Sequence, residues 1–162
     1  MKRTVVVLLV AAVASALGWW AGEQRRSARP TARVVEALDG DTVVVELADG
    51  TTDTVRILGV DTPETHHPTK PVECFGPEAA AFTARRLTAQ VVELEADLER
   101  HDIYGRRLAY VYIDGERFDD ELLREGYARL LVIEPNRAHA RELLAAELAA
   151  RRARRGLWAA CE

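Results

Sequence analysis

Residues 31–60 read TARVVEALDG DTVVVELADG TTDTVRILGV, and this stretch decides the predicted fold. Three segments rich in β-branched residues, 31–38, 42–47 and 51–60, are separated by two Asp-Gly pairs. Asp-Gly between such segments is typical of the tight turns of β-hairpins. The stretch therefore predicts three consecutive antiparallel strands.

The segments after residue 60 complete a barrel in this prediction. A helix over 77–88 begins at Pro77, a residue that suits the first helical turn. Residues 90–98 alternate apolar and acidic side chains, and residues 107–113 are mostly apolar, so both segments predict strands. Three strands, a helix and two further strands indicate an α+β fold. We expect a five-stranded Greek-key β-barrel of the oligonucleotide/oligosaccharide-binding (OB) type with three helices.

The C-terminal third supplies the other two helices. A short helix over 120–125 ends at Gly126, and residues 127–133 are predicted to be extended. Asn136 is predicted to cap a long final helix. The apolar stripe of that helix is formed by Leu143, Leu144, Leu148 and Ala149.

The N-terminus has a different composition from the rest of the chain. Lys2 and Arg3 precede an uncharged run over 4–22, which is typical of an export signal. Small residues at 14–16 favour cleavage of a signal peptide, whereas the run is also about long enough to anchor the chain in a membrane. Both alternatives stay open. In either case the predicted location is extracytoplasmic: secreted, or anchored on the outer side of the cell membrane.

The chain divides into three parts in this interpretation. Residues 1–22 are the signal peptide or N-terminal membrane anchor, residues 23–30 are a linker, and residues 31–162 form one domain. The whole chain has 162 residues, 48% hydrophobic and 30% charged, which is ordinary for a globular protein. No protein partner is predicted, and we expect a monomer.

The chain contains two cysteines, Cys74 and Cys161, which are far apart in the sequence. Neither has a neighbour at the spacing of metal ligands. In an oxidising compartment such a pair most simply forms one disulfide. Two unrelated thiols are the alternative.

The charge balance bears on which partners the domain can bind. The chain has a formal net charge of −4, and residues 30–162 carry 17 Lys and Arg against 25 Asp and Glu, hence −8. Nucleic-acid-binding domains usually have a basic surface. An acidic domain can still bind a polyanion if its arginines converge on one cleft and a divalent cation bridges the remainder.

An arginine and three acids form the densest group of candidate functional residues. Arg56 interrupts a mostly apolar strand, where an unpaired charge would be costly, so it requires a carboxylate or a phosphate. Asp61 and Glu64 follow the end of that strand. Asp41 follows the first hairpin turn and is expected to lie near them at the rim of the barrel.

These residue types are suited to hydrolysis of a phosphodiester assisted by calcium. Ca²⁺ prefers oxygen ligands, which Asp41, Asp61 and the carbonyl of Thr62 can supply. Glu64 can act as a general base on water. Arg56 can bind a phosphate through two hydrogen bonds and stabilise the charge that develops during attack.

Residues 102–106 form a second candidate group before the fifth strand. Arg106 can supply a second guanidinium, and Tyr104 an aromatic face for a base. Each group alone has a simpler interpretation: Asp-Gly-Asp-Thr as a hairpin, Asp-Thr-Pro-Glu as a turn before a helix, and Arg106 as a solvated side chain. The combination of a strand arginine, three acids and a loop arginine favours a catalytic site.

Five motifs stand in order along the chain: Asp39-Gly40-Asp41-Thr42, residues 56–64, Cys74-Phe75-Gly76-Pro77-Glu78-Ala79, residues 102–106 and Gly156-Leu157-Trp158. In these motifs the chain resembles the staphylococcal nuclease, or thermonuclease, family, over about residues 33–158. The resemblance implies an OB barrel and Ca²⁺-dependent hydrolysis of DNA and RNA that leaves 3′-phosphate ends. It places the calcium ligands at Asp41, Asp61 and Thr62, and the catalytic residues at Arg56, Glu64 and Arg106.

The sequence departs from the family pattern around the substrate. Ile103 stands where the type member has a lysine, and near Leu131 and Ile133 the chain has aliphatic residues where that member has two tyrosines. Tyr104 is kept. Two other functions stay open: a non-catalytic OB module that binds nucleic acid at the cell surface, and a structural exported domain.

Overall fold

The computed structural model describes residues 29–65 and 71–161. The predicted signal or anchor over 1–22 and most of the predicted linker lie outside the described residues. The strands are β1 (Thr31–Ala37), β2 (Thr42–Leu47), β3 (Thr52–Ile57), β4 (Gly59–Asp61), β5 (Val91–Glu95), β6 (Arg107–Ile113), β7 (Glu116–Arg117) and β8 (Arg129–Leu131). The helices are α1 (Gly76–Leu87), α2 (Phe118–Glu125), α3 (Ala140–Arg152) and α4 (Leu157–Ala160).

Five strands close into the predicted barrel in the order β3-β2-β1-β5-β6, and β3 pairs again with β6 to complete the ring. The β3–β6 pairing is parallel, and the others are antiparallel. Alternate side chains of β2 and β3, such as Val43, Val45, Val55 and Ile57, are fully buried in the core. The opposite face of the same strands is left for the site.

The third predicted strand, over 51–60, is wrong in its extent, because the structure divides it. β3 ends at Ile57, and β4 begins at Gly59, whose φ of 81° lies in the left-handed region that favours glycine. β4 then leaves the barrel and pairs with β8. At this break the chain turns around the guanidinium of Arg56. The guanidinium donates hydrogen bonds to the carbonyls of Ile57, before the break, and Val60, after it.

The final helix also differs from the prediction. It begins at Ala140 after His139, so Asn136 does not cap it. Asn136 is buried and exchanges two hydrogen bonds with the backbone of Glu99, which ties two loops together. The buried stripe of α3 is Leu143, Ala146, Glu147 and Ala150, and the predicted Leu144 and Leu148 are partly exposed.

Other element boundaries differ by a few residues from the prediction. β5 ends at Glu95, because Asp97 turns to accept a hydrogen bond from the backbone of Ala138. α2 begins two residues earlier than predicted, at Phe118, and it ends at Gly126 as expected. Within the extended segment 127–133, only β8 pairs as a strand.

The predicted disulfide is present: Cys74 and Cys161 are bonded. It joins the loop before α1 to the residue that follows α4. Trp158 and Leu157 of α4 pack beside it against Ala150 and Phe75 in a small second cluster. The C-terminal segment is thereby fixed close to the loop that follows β4. Over residues 29–65 and 71–161, no helix is long and apolar enough to span a membrane.

Candidate active site

Arg56 is the centre of the site, and its side chain is almost completely buried, with 6% of the residue exposed. Nη1 donates to the carbonyls of Ile57 and Val60, both at 2.8 Å. Nη2 lies 3.3 Å from Asp41 Oδ2 and 3.3 Å from Asp61 Oδ1. Arg56 was predicted to need a carboxylate or a phosphate, and two carboxylates meet that need. Both terminal nitrogens of the guanidinium are thereby held in place.

Asp41 connects the first hairpin to the segment after β4. Its Oδ2 accepts hydrogen bonds from the Thr62 backbone amide at 2.9 Å and the Thr62 hydroxyl at 3.1 Å. The backbone of Gly40 lies against the Thr62 side chain, because a Cβ added to Gly40 would be 2.7 Å from that side chain. Thr83 of α1 donates to the Gly40 carbonyl at 2.7 Å and supports the turn from behind. Asp41 is therefore fixed by the fold before any ligand binds.

Asp61 is the more accessible of the two aspartates, with 56% of its side chain exposed. Its pKa is raised above the ordinary value, first by burial and then by the nearby acids Asp41, Glu73 and Glu64, against the lowering effect of Arg56. An excess of carboxylates therefore surrounds one guanidinium. Such a group of oxygens favours a cation.

Glu64 lies on the loop after β4 and lines the same hollow as Arg56. Its Oε1 accepts from the Thr65 amide at 3.1 Å. Its backbone is held by Glu73: the Glu64 amide donates to Glu73 Oε2 at 3.2 Å, and the Glu73 amide donates to the Glu64 carbonyl at 2.9 Å. The loop is thus closed at its base, next to the disulfide at Cys74.

Asp39 and Glu73 are two acids of the site that the sequence reasoning missed. Burial raises the pKa of Asp39, and a side-chain hydrogen bond with Glu64 raises it further. Asp39 Oδ1 also accepts from the Gly40 amide at 2.8 Å and from the Thr65 hydroxyl at 3.1 Å. The sequence signal for Asp39 was that the hairpin turn contains an aspartate in addition to Asp41. The sequence reasoning explained Asp39 by its role in the turn alone.

Arg106 reaches the hollow from the loop before β6. Its Nε donates to Asp102 Oδ2 at 2.6 Å, and Asp102 also accepts from the backbone amides of Arg106 and Tyr104. Burial alone would raise the pKa of Asp102, but the hydrogen bonds from Arg106 have the larger combined effect. The pKa of Asp102 is therefore lowered below its ordinary value. Within the described part of the chain, no other acid pairs with the Nη groups of Arg106. They remain available to a ligand.

The hollow has a volume of about 340 Å³. All six residues predicted for metal binding and catalysis line it: Asp41, Arg56, Asp61, Thr62, Glu64 and Arg106. Tyr104 does not line it. Its side chain is on the surface beside the hollow, 77% exposed, with its ring 5.4 Å from the Arg106 guanidinium. The arrangement can accept one phosphate-sized group between two guanidiniums and several carboxylates.

The donors around the hollow fit a hard cation such as Ca²⁺. In residues 29–65 and 71–161, no three His, Cys, Asp or Glu side chains form a ready-made metal cluster. A cation here would therefore use the Asp41 and Asp61 carboxylates together with the Thr62 carbonyl and water. Four acids, Asp39, Asp41, Asp61 and Glu64, line the hollow together with two arginines, so a cation there would offset an excess of negative charge.

Comparison with known proteins agrees with the geometry. The family model described as "Staphylococcal nuclease homologue" matches residues 54–160, about two thirds of the chain. The chain belongs to the staphylococcal nuclease family. The match begins after Asp41, so the fold, and not the family match, connects Asp41 to the site.

Several curated proteins are similar to the chain. The "Thermonuclease" of Staphylococcus hyicus is 41% identical over 128 residues, which cover 79% of this chain and 75% of that protein. The "Thermonuclease" of Staphylococcus intermedius is 47% identical over 103 residues, or 64% of this chain and 61% of that protein. "Endonuclease YncB" of Bacillus subtilis is 46% identical over 102 residues, which cover 62% of this chain and 48% of that protein.

Proposed function

We propose that the protein is a nuclease that hydrolyses phosphodiester bonds of DNA or RNA with Ca²⁺ and leaves 3′-phosphate ends. The observation that carries this proposal is the convergence of Arg56, Arg106 and the carboxylates of Asp41, Asp61 and Glu64 on one hollow. The names of the similar proteins, thermonucleases and an endonuclease, agree with it. Bound Ca²⁺ would supply charge that balances the phosphate and orients it.

The two arginines would bind the phosphate and stabilise the charge that develops on it. Arg56 is held by two carbonyls, so its charge is already oriented when the substrate arrives. Arg106 is fixed through Nε by Asp102, which leaves its other nitrogens to donate to a phosphoryl oxygen. Preorganised donors of this kind are each worth about 10²- to 10³-fold in rate.

Glu64 would act as the general base. Its carboxylate accepts a proton from a water, whose oxygen attacks phosphorus in line while the bond from phosphorus to the 5′ oxygen breaks. The 5′ oxygen leaves with a proton from solvent, and the phosphate remains on the 3′ end. The hydrogen bonds of Glu73 to the backbone of residue 64 would hold the base at the rim of the hollow.

We also propose that the domain over 31–162 works outside the cytoplasm as a monomer, secreted or anchored by residues 1–22. The Cys74–Cys161 disulfide supports this location, because disulfides persist in oxidising compartments. The net charge of −8 over residues 30–162 implies that substrate binding depends on the arginines of the hollow and on a divalent cation.

The proposal is tested by incubating the purified protein with single-stranded DNA, duplex DNA and RNA in Ca²⁺, Mg²⁺ or EDTA. We expect cleavage in Ca²⁺ and loss of cleavage in EDTA. A phosphatase that acts only on 3′-phosphate ends should release inorganic phosphate from the products. Binding without cleavage in every cation would support a non-catalytic nucleic-acid-binding module instead. Products with 5′-phosphate ends would contradict the proposal that the bond between phosphorus and the 5′ oxygen is the one that breaks.

A further inference from the structure

A second cavity of about 260 Å³ lies beside the catalytic hollow, and the disulfide forms part of its wall. Asp61 and Thr62 line both spaces. Cys74 and Cys161 line this second cavity, and Cys74 is exposed on the surface. The bond between the two cysteines is therefore close to the catalytic residues and open to a small reagent in the solvent.

One end of the disulfide belongs to a part of the domain that is held in place by other contacts. Cys161 follows α4, whose Leu157 and Trp158 are buried in one cluster with Ala150. The Leu157 amide donates to the Gly126 carbonyl at 2.9 Å, and the Cys161 amide donates to the Leu157 carbonyl at 3.0 Å. None of these contacts depends on the disulfide, so α4 is the fixed end.

The other end of the disulfide belongs to a loop over residues 71–74, all of which are exposed. On the side of α1 this loop is held by Phe75, whose ring stacks on Tyr127. On the other side, the hydrogen bonds of Glu73 with the backbone of Glu64 hold it. Exposed hydrogen bonds exchange readily with water and add little rigidity. The disulfide is therefore the strongest restraint on the position of this loop.

Glu73 connects the disulfide to the proposed general base. It directly precedes Cys74, and both its carboxylate and its backbone amide bond the backbone of Glu64, at 3.2 Å and 2.9 Å. A general base must lie within hydrogen-bonding reach of the water that it deprotonates. A displacement of about 1 Å can cost on the order of 10²-fold in rate. Movement of Cys74 would therefore affect Glu64 through a single intervening residue.

We propose that the Cys74–Cys161 disulfide positions Glu64 through Glu73, so that reduction of this bond slows catalysis while the domain stays folded. This inference rests on the proposed nuclease function, to which it adds control by thiols. A dithiol reduces the bond in two exchanges: its first thiolate attacks one sulfur and releases the other cysteine, and its second thiol then releases the attacked cysteine. The protein gains two electrons and two protons as two thiols, and the dithiol becomes a disulfide.

The test measures the single-turnover rate on single-stranded DNA in Ca²⁺, with the bond intact and after reduction with dithiothreitol. The assay is run at low temperature in sucrose, which favours the folded state, and circular dichroism in the same buffer monitors the fold. Glu73→Ala removes the side-chain acceptor of the Glu64 amide, and Glu73→Gln keeps an acceptor oxygen. Glu78→Ala is the matched control, because Glu78 is an exposed glutamate of α1 outside both cavities.

We expect reduction to lower the wild-type rate by about five- to fiftyfold, because the base is held less precisely. With the bond intact, Glu73→Ala should lower the rate, Glu73→Gln should keep most of it, and Glu78→Ala should keep all of it. Reduction should cost Glu73→Ala less than it costs the wild type, because both changes act through the same residue. The Kd for DNA should be equal in the two redox states, because the arginines of the hollow stay in place.

A measurement without catalysis keeps this inference separate from the nuclease proposal. Protection of the Glu64 amide from hydrogen exchange, followed by NMR, should fall on reduction and in Glu73→Ala and persist in Glu73→Gln. If the oxidised wild type cuts nothing, the nuclease proposal fails, and this protection still decides whether the disulfide positions Glu64. Unchanged protection, an unchanged rate, a fully additive loss in reduced Glu73→Ala, or a reduced protein that is unfolded in the sucrose buffer would each overturn the inference.

Discussion

Arg56 shows how a single residue organises the site. A buried guanidinium needs acceptors on every donor, and here it has two backbone carbonyls and two aspartates. The backbone turns at Gly59 to provide one of those carbonyls, so the break between β3 and β4 and the position of the arginine have one cause. Removing this side chain would leave Asp41 buried without its cation.

Asp119 is the residue whose charge should matter most for stability. It is fully buried, and neither of its carboxyl oxygens has a hydrogen-bond partner in the described part of the chain. Burial raises its pKa from 3.8 to about 7, although Arg117 lowers it. In the folded protein the carboxyl therefore holds its proton to a higher pH than in the unfolded chain.

The sign of the pH effect follows from this difference. Between about pH 4 and 7 the unfolded chain has lost the proton that the folded chain keeps, so the contribution of Asp119 to stability is lost as pH rises. We predict that Asp119→Asn raises the free energy of unfolding at pH 8 by on the order of 3 kcal/mol and has little effect at pH 4. Urea unfolding at the two pH values measures this.

Asp114→Asn is the control for that experiment. Asp114 is in an exposed turn, with 81% of its side chain exposed, so its substitution should change stability by less than about 0.5 kcal/mol. If Asp119→Asn destabilised the protein equally at pH 4 and pH 8, the account of Asp119 as a protonated buried acid would be wrong.

At the scale of single residues, local chemistry made much of the site predictable. Arg56 in an apolar strand, the acids after that strand and an aspartate after the first hairpin turn were sufficient to select Asp61, Glu64 and Asp41 as lining the hollow. Asp39 and Glu73 were not predictable, because their roles depend on contacts across a loop: Asp39 with Thr65, and Glu73 with the backbone of residue 64. Sequence spacing carries no information on these distances.

At the scale of elements, hairpins were more predictable than strand ends. The two Asp-Gly turns correctly located β1, β2 and the start of β3, because turn geometry is set by neighbouring residues. The end of β3 was missed, since Gly59 and the pairing of β4 with the distant β8 interrupt a continuous apolar run. The start of α3 was missed because Asn136 bonds Glu99, a partner 37 residues away.

The disulfide is the element-scale feature with the largest predicted effect on stability. Cys74 and Cys161 are 87 residues apart, and closing a loop of that size stabilises a fold by about 4 kcal/mol in the chain-entropy model. We predict that the Cys74→Ser/Cys161→Ser double variant unfolds at a clearly lower urea concentration than the oxidised wild type.

Reductant serves as the control for the disulfide. It should lower the unfolding midpoint of the wild type to that of the double variant, and it should leave the double variant unchanged. Identical midpoints for oxidised wild type and double variant would show that the bond adds nothing to stability.

At the scale of the whole molecule, the charge distribution determines how the protein can bind a polyanion. The domain is acidic overall, yet Arg56 and Arg106 line the same hollow, and the barrel brings them there from β3 and from the loop before β6. Net charge alone carries no information on where the arginines lie, and barrel closure is what brings these two together. Asp41 joins the hollow from outside the matched segment 54–160 for the same reason.

The central claim is that this hollow is catalytic and that Glu64 is its base. The most direct measurement is the single-turnover rate of Glu64→Gln on single-stranded DNA in Ca²⁺, beside Glu142→Gln, an exposed glutamate of α3. We predict a loss of about 10²- to 10⁴-fold for Glu64→Gln with an unchanged melting temperature, and the wild-type rate for Glu142→Gln. Cleavage by Glu64→Gln at the wild-type rate would contradict the account.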